Sequence, residues 1–128
     1  MAERDFVGKV AFITGAAHGQ GRAVALALAR AGARIAAFDV ARPLSYPGYQ
    51  LGSQDDLRGL QLLCQESGSE CLIFAGDVRD DAAITAAVDG TVAAFGRIDV
   101  LFSNAGICAY GLAHELTEDE WDAMIDIN

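Results

Sequence analysis

The stretch AFITGAAHGQGRAVALALARAG, residues 11–32, decides how this chain folds. A short, nearly continuous apolar run at residues 9–14 (KVAFIT) reads as a strand buried on both faces. The Ala- and Leu-rich stretch at 20–33 reads as a helix that ends at Gly32. Between them Gly15, Gly19 and Gly21 occupy the handover from strand to helix, where side chains have been stripped out. At such a junction free backbone N–H groups and the positive end of the helix dipole point outward, beyond the strand's carboxyl end. Side chains there would hold a diphosphate away. Gly15 permits a tight exit from the strand, Gly19 a close approach to the backbone, and Gly21 a helix lying close on the sheet. The spacing is G-x3-G-x-G and not G-x-G-x-x-G, so the turn taken alone also reads as a plain tight connection.

Outward from this stretch, strands and helices alternate. Residues 34–40 (RIAAFDV) read as a second strand, and 41–53 (ARPLSYPGYQLGS), which hold both prolines, as a loop. That loop exceeds the roughly two to six residues usual for such connections. Residues 53–68 read as a helix with Ser53 as N-cap and Asp56 three residues on. Residues 70–78 follow as a third strand, 80–96 as a helix closed by Gly96, and 98–106 as a fourth strand. Thr117 and Glu120 form a capping box for a last helix that runs to residue 128. The alternation predicts an α/β fold: one domain over residues 1–128, with a doubly wound parallel sheet and helices on both faces. There is no internal repeat, low-complexity tract or linker.

The bulk composition excludes several partners. Nine basic residues stand against 18 acidic ones, a formal charge of −9, and Lys9 is the single lysine. Phosphate backbones are bound by clustered cations, so nucleic acid is not expected, nor is an anionic membrane surface. The acidity reads as solubility. Cys64, Cys71 and Cys108 form no CxxC pair, and His18 and His114 stand at no ligand spacing from them, so no metal is expected. The thiols read as buried and reduced, as in a cytoplasmic protein. The first ten residues, MAERDFVGKV, carry acids and no apolar segment, which reads as no secretory signal. No uncharged run reaches the ~18 residues of a membrane helix.

Asp39 closes the second strand 18 residues after Gly21, where a carboxylate accepts hydrogen bonds from a ribose 2′-hydroxyl. A solvated loop acid is the plain alternative. Turn and acid in this strand order point to dinucleotide binding. The acid repels a 2′-phosphate, so NAD(H) is expected over NADP(H), with Arg22 and Arg42 near enough to soften the preference.

These residues resemble the short-chain dehydrogenase/reductase family over essentially the whole chain. TGAAHGQG (14–21) is similar to its T-G-x-x-x-G-x-G cofactor motif, GDV (76–78) to its segment after the third strand, and SNAG (103–106) to its N-N-A-G, with Ser103 replacing the first Asn. The resemblance implies a Rossmann-type sheet in the order 3-2-1-4, here truncated after the fourth strand and its following helix. It also implies NAD as cofactor, bound by Thr14, Gly15, His18, Gly19, Gln20, Gly21, Asp39, Asp77, Val78, Asn104, Ala105 and Gly106. By resemblance Asp77 and Val78 lie beside the adenine, Asn104 braces the sheet, and Ala105 and Gly106 line the cofactor. A finer likeness joins GAAHGQGR, Asp39 and PLSYPGYQLGSQDDL to the mycofactocin-associated branch, whose members hold nicotinamide cofactor tightly. The 41–53 loop is then either a lid over the adenosine end or a neutral surface insertion.

The activity implied by the resemblance is hydride transfer between C4 of nicotinamide and the carbon of a small-molecule alcohol or ketone. In that family a Tyr-x-x-x-Lys pair moves the proton, a Ser orients the carbonyl, and an Asn completes a water relay. Asn128, ending IDIN, matches that Asn and is the catalytic candidate of this chain. Tyr46, Tyr49 and Tyr110 are not followed four residues later by lysine, and Ser103 belongs to the cofactor motif. The chain is therefore expected to be the cofactor-binding N-terminal half of such an enzyme, inactive alone. Its fourth strand is expected to be an exposed apolar edge, and its last helix, with Trp121, Met124 and Ile125, to lack packing partners. Marginal stability and homo-oligomerisation follow. His114 and Tyr110, which follow NAG, stand where they could touch a substrate, but the plainer reading is surface residues on a loop. Two other classes stand beside the enzyme: a non-catalytic nucleotide-binding module or inactive remnant, and a receiver-type signalling domain. A receiver needs an acidic cluster after the first strand and a late lysine, where this chain has Thr-Gly-Ala-Ala and no lysine beyond Lys9.

Overall fold

The computed structural model describes residues 4–128; Met1, Ala2 and Glu3, the start of the stretch read as no secretory signal, lie outside the described residues. Four strands and four helices alternate: β1 (Val10–Thr14), α1 (Gly19–Arg30), β2 (Arg34–Asp39), α2 (Gln54–Glu66), β3 (Cys71–Ala75), α3 (Asp81–Phe95), β4 (Val100–Phe102) and α4 (Glu118–Ile127). The sheet order is β3-β2-β1-β4 and every pairing is parallel. This is the doubly wound α/β arrangement that the alternation predicts.

Sequence chemistry accounts for the layers. On one face α1 presents Gly21, Ala25 and Ala29, small residues four apart that let the helix lie close against Ala11, Ile13, Ile35 and Ala37. Leu57, Leu60 and Cys64 of α2 complete that cluster. On the other face Ala87 of α3 packs on Phe12, Ala36 and Phe38. β1 and β2 thus carry apolar side chains on both faces, the pattern of buried parallel strands. The capping boxes at Ser53/Asp56 and Thr117/Glu120 are both formed, and Gly96 ends α3 in a left-handed turn.

Two strands are shorter than their apolar runs. β3 stops at Ala75 and β4 at Phe102, although residues 70–78 and 98–106 read as strand. After Ala75 the Asp77 carboxylate accepts the Arg79 N–H at 2.9 Å and turns the chain away. After Phe102 the N–H groups of Asn104 and Ala105 both go to the Thr14 hydroxyl, not to a ladder. The thiols need a correction too: Cys64 and Cys71 are buried, but Cys108 is exposed, because it lies on an irregular segment beyond β4.

Among the described residues β4 pairs with β1 alone, and Leu101 on it is 66% exposed. Trp121 and Ile125 of α4 are also exposed, with Ala123 the buried residue of that helix. Among the described residues no helix is long and apolar enough to cross a membrane.

Candidate functional site

The four strands end together, and the glycine turn lies at the centre of that edge. Gly15 leaves β1 with φ +66, and a Cβ there would stand 2.9 Å from the Ala105 Cα. A Cβ on Gly21 would collide with the Gly15 carbonyl oxygen, so α1 starts directly against the strand exit. Gly19 differs: its φ is +60 and nothing lies within 4 Å of where a Cβ would be. The turn is packed tight underneath and open outward, as a cradle for a ligand's backbone-bound group requires.

The first turn of α1 is bare. Its N-cap, His18, makes no side-chain cap bond, and no acid stands in that turn. The other three helices are each capped by a side chain, from Ser53, Asp80 and Thr117, with acids in their first turns. Unsatisfied N–H donors and the positive end of the dipole therefore face solvent beside exposed His18, Gly19 and Gln20.

Thr14 and Asn104 support the turn from beneath. The Thr14 hydroxyl accepts the N–H groups of Asn104 and Ala105, each at 3.0 Å. The Asn104 carboxamide donates back to the carbonyls of Thr14 (3.2 Å) and Gly15 (3.3 Å). One side chain thereby joins the ends of β1 and β4 across 90 residues.

A cleft opens beside the turn, lined by Gly15, His18, Asp39, Asp77, Val78, Ala105 and Gly106. These are seven of the sequence-derived cofactor residues; Thr14, Gly21 and Asn104 lie behind them, and Gly19 and Gln20 on the outer rim. Asp39 is 4% exposed and its carboxylate is held by two backbone donors, Ala17 at 3.0 Å and Ala41 at 2.9 Å. The Arg79 guanidinium grips Asp77 with two nitrogens (3.0 and 2.7 Å) and holds its carboxyl below the usual carboxylate range. Arg42 approaches the same carboxylate at 3.8 Å. Arg22 turns the other way, to the carbonyls of Ala17 and Asp56.

Asn128 lines a neighbouring apolar groove with Ser103 and Leu101. Its carboxamide oxygen accepts the Ile107 N–H (3.0 Å), and its nitrogen donates to the carbonyls of Ile107 (3.0 Å) and Met124 (2.8 Å). Tyr110 is 96% exposed and His114 is exposed beside Glu115.

Several contributors escaped the sequence reading. Leu44 and Leu51, from the two ends of the 41–53 loop, line the cleft together with Ile107 and Ile127. Gly52 packs on the turn itself: a Cβ there would be 2.5 Å from that of Ala17. The Tyr49 hydroxyl accepts the Cys108 N–H at 3.1 Å, so the loop reaches the segment after β4. The available signal was the loop's length together with its leucines and tyrosines; its direction over the sheet was not in the residues.

The profile of a family described as short chain dehydrogenase matches residues 9–128. The chain is 41% identical over 122 residues to (-)-trans-carveol dehydrogenase of Rhodococcus erythropolis, covering 94% of this chain and 44% of that protein. It is 40% identical over 124 residues to D-threitol dehydrogenase of Mycolicibacterium smegmatis, covering 94% and 42%. The crystal structure of carveol dehydrogenase from Mycobacterium avium in complex with NAD is similar at a TM-score of 0.90 and 39% identity, covering 94% of this chain and 44% of that one. The chain thus spans less than half the length of these relatives.

Proposed function

This chain belongs to the short chain dehydrogenase family, and from that premise we propose that it is the NAD-binding half of an oxidoreductase acting on a small alcohol or ketone. The observation that carries the reading is the uncapped N-terminus of α1 beside a buried Asp39. Free N–H donors suit a diphosphate, and the carboxylate suits ribose hydroxyls. Two lone-pair directions of Asp39 go to Ala17 and Ala41, which leaves the others for those hydroxyls.

Gly15, His18, Gly19 and Gln20 would hold the diphosphate, with Gly21 letting α1 start close behind them. Asp77 and Val78 would flank the adenine, with Ala105 and Gly106 along the rest of the cofactor. Thr14 and Asn104 would serve the site from behind, keeping the turn in shape. Leu44 and Leu51 make the loop a cover for the adenosine end. When bound, NAD supplies the acceptor or donor of hydride. Asn128 is the relay asparagine by motif position, and its carboxamide fixes the last turn of α4 to Ile107. The Tyr-x-x-x-Lys chemistry is not carried by these 128 residues, so cofactor binding without turnover is the activity proposed for them alone. Family membership removes the receiver-type alternative.

The preference for NAD over NADP follows from charge. A 2′-phosphate would meet the Asp39 carboxylate, while Arg22 and Arg42, the nearby cations, are engaged with Ala17, Asp56 and Asp77. Titration of the chain with NADH and NADPH, read by nicotinamide fluorescence, tests this. NADH should bind at least about tenfold more tightly, a difference of roughly 1.4 kcal/mol. Equal affinity would remove the role given to Asp39, and no binding of either would remove the reading.

A further inference from the structure

Arg22 stands one residue past the glycine motif, in the first turn of α1, and the cofactor reading leaves it without a role. Its Nη1 donates to two carbonyls: Ala17 of the glycine turn at 3.2 Å and Asp56 of α2 at 2.8 Å. The guanidinium lies over Gly59, where a Cβ would be 3.5 Å from its Nη2. That is ordinary van der Waals distance, so a methyl at position 59 would sit against the guanidinium without displacing it. Asp56 is itself fixed, since it forms the capping box with Ser53 at the start of α2. Ala17 is therefore held at both polar groups, its N–H by Asp39 at 3.0 Å and its carbonyl by Arg22. Through Arg22 the turn gains a polar tie to α2, beside the apolar cluster that Ala16 and Ala17 share with Leu57 and Leu60.

We propose that Arg22 is a positioning residue for the cofactor diphosphate, holding the Ala17–His18 backbone in the one arrangement that aims the free N–H groups of α1 outward. The inference rests on the NAD-binding reading and extends it to a residue outside the motif. A turn already held in its bound shape loses less conformational freedom when the ligand arrives, so removing the hold weakens binding of the part that the turn contacts. That part is the diphosphate. Adenosine, which lacks it, is the internal control. Because one nitrogen makes both contacts, a lysine ammonium reaching the same point replaces them.

The experiment compares the chain with Arg22→Met, Arg22→Lys and Gly59→Ala, measuring NAD+ and adenosine affinity by calorimetry. Cofactor-free amide exchange over residues 16–19 is measured in parallel. Arg22→Met should weaken NAD+ about tenfold and adenosine by less than about twofold, the size of one lost preorganising contact. It should also speed exchange of the Ala17 amide. Arg22→Lys should recover most of both effects, and Gly59→Ala, which leaves the contacts in place, should change neither. Loss of NAD+ and adenosine affinity in step, or unchanged Ala17 exchange, would overturn the proposal. If the unsubstituted chain binds no NAD+, the functional reading fails while the exchange comparison still judges Arg22. Should Arg22→Met not fold, Arg22→Gln, too short to reach Asp56, carries the same comparison.

Discussion

The Asp39 carboxylate and the Ala17 backbone N–H meet at 3.0 Å, a buried hydrogen bond between the end of β2 and the glycine turn. The other oxygen takes the Ala41 N–H at 2.9 Å. One side chain thus ties the turn to the start of the 41–53 loop while facing the cleft. Asp39→Asn keeps the shape but sets an NH2 group against one of the two donors. It should cost about 1–3 kcal/mol, the range for leaving a buried group unpaired. Urea unfolding measures the loss, and the ratio of NADH to NADPH affinity should fall with it.

Gly19 and Gly21 should respond differently. Gly21→Ala forces a Cβ onto the Gly15 carbonyl oxygen, so backbone must move, at about 1–3 kcal/mol. Gly19→Ala meets open space and carries only the left-handed strain of φ +60, about 1–2 kcal/mol. Because its methyl would stand on the open side proposed for the diphosphate, Gly19→Ala should also weaken NADH, and by more, relative to its loss of thermal stability, than Gly21→Ala. Equal effects of the two substitutions on both readouts would contradict the cradle geometry.

Thr14→Val removes an acceptor shared by two N–H groups, Asn104 and Ala105, and leaves both unpaired in a partly buried place. A loss of about 1–3 kcal/mol is expected by denaturant titration. Thr14→Ser keeps the oxygen and should lose well under half of that. A serine variant as weak as valine would mean that the methyl group, not the hydroxyl, carries the stability.

Acid should destabilise the fold in a defined window. Asp77 is held below its ordinary value of 3.8 by the Arg79 side chain, Asp56 by the Ser53 N–H, and Asp99 by the Arg97 side chain. Their folded values lie below the unfolded one, so each contribution is complete above that value and is lost as pH falls through the depressed ones. Melting temperature should be flat above about pH 5 and decline below about pH 4. Arg79→Gln should flatten part of that decline. A fall beginning near neutrality would point to other groups.

For these 128 residues taken alone, the exposed edge at β4 predicts self-association. Leu101 is 66% exposed on a strand with one neighbour, and unpaired edges of this kind recruit other chains. Leu101→Lys should shift sedimentation toward monomer without changing NADH affinity. An unsubstituted chain that stays monomeric at high concentration would end this expectation.

The amino-acid sequence by itself determined the order of elements, the parallel sheet and the position of the turn. Those signals are local: an apolar run of strand length, a capping serine three residues before an acid, glycines clustered where a strand hands over to a helix. The same locality carried Gly15, Gly19, Gly21 and Asp39 to one strand edge, because each ends an element whose neighbours are set by the alternation. What only the tertiary structure decided are partners far apart along the chain. Arg22 reaches Asp56 across 34 residues and Tyr49 reaches Cys108 across 59. The strand ends at Ala75 and Phe102, the exposure of Cys108 and the leucines over the cleft belong to the same class. No residue's own propensity encodes them. They are fixed when packed helices bring separate backbones together and each buried polar group takes whichever partner arrives within reach.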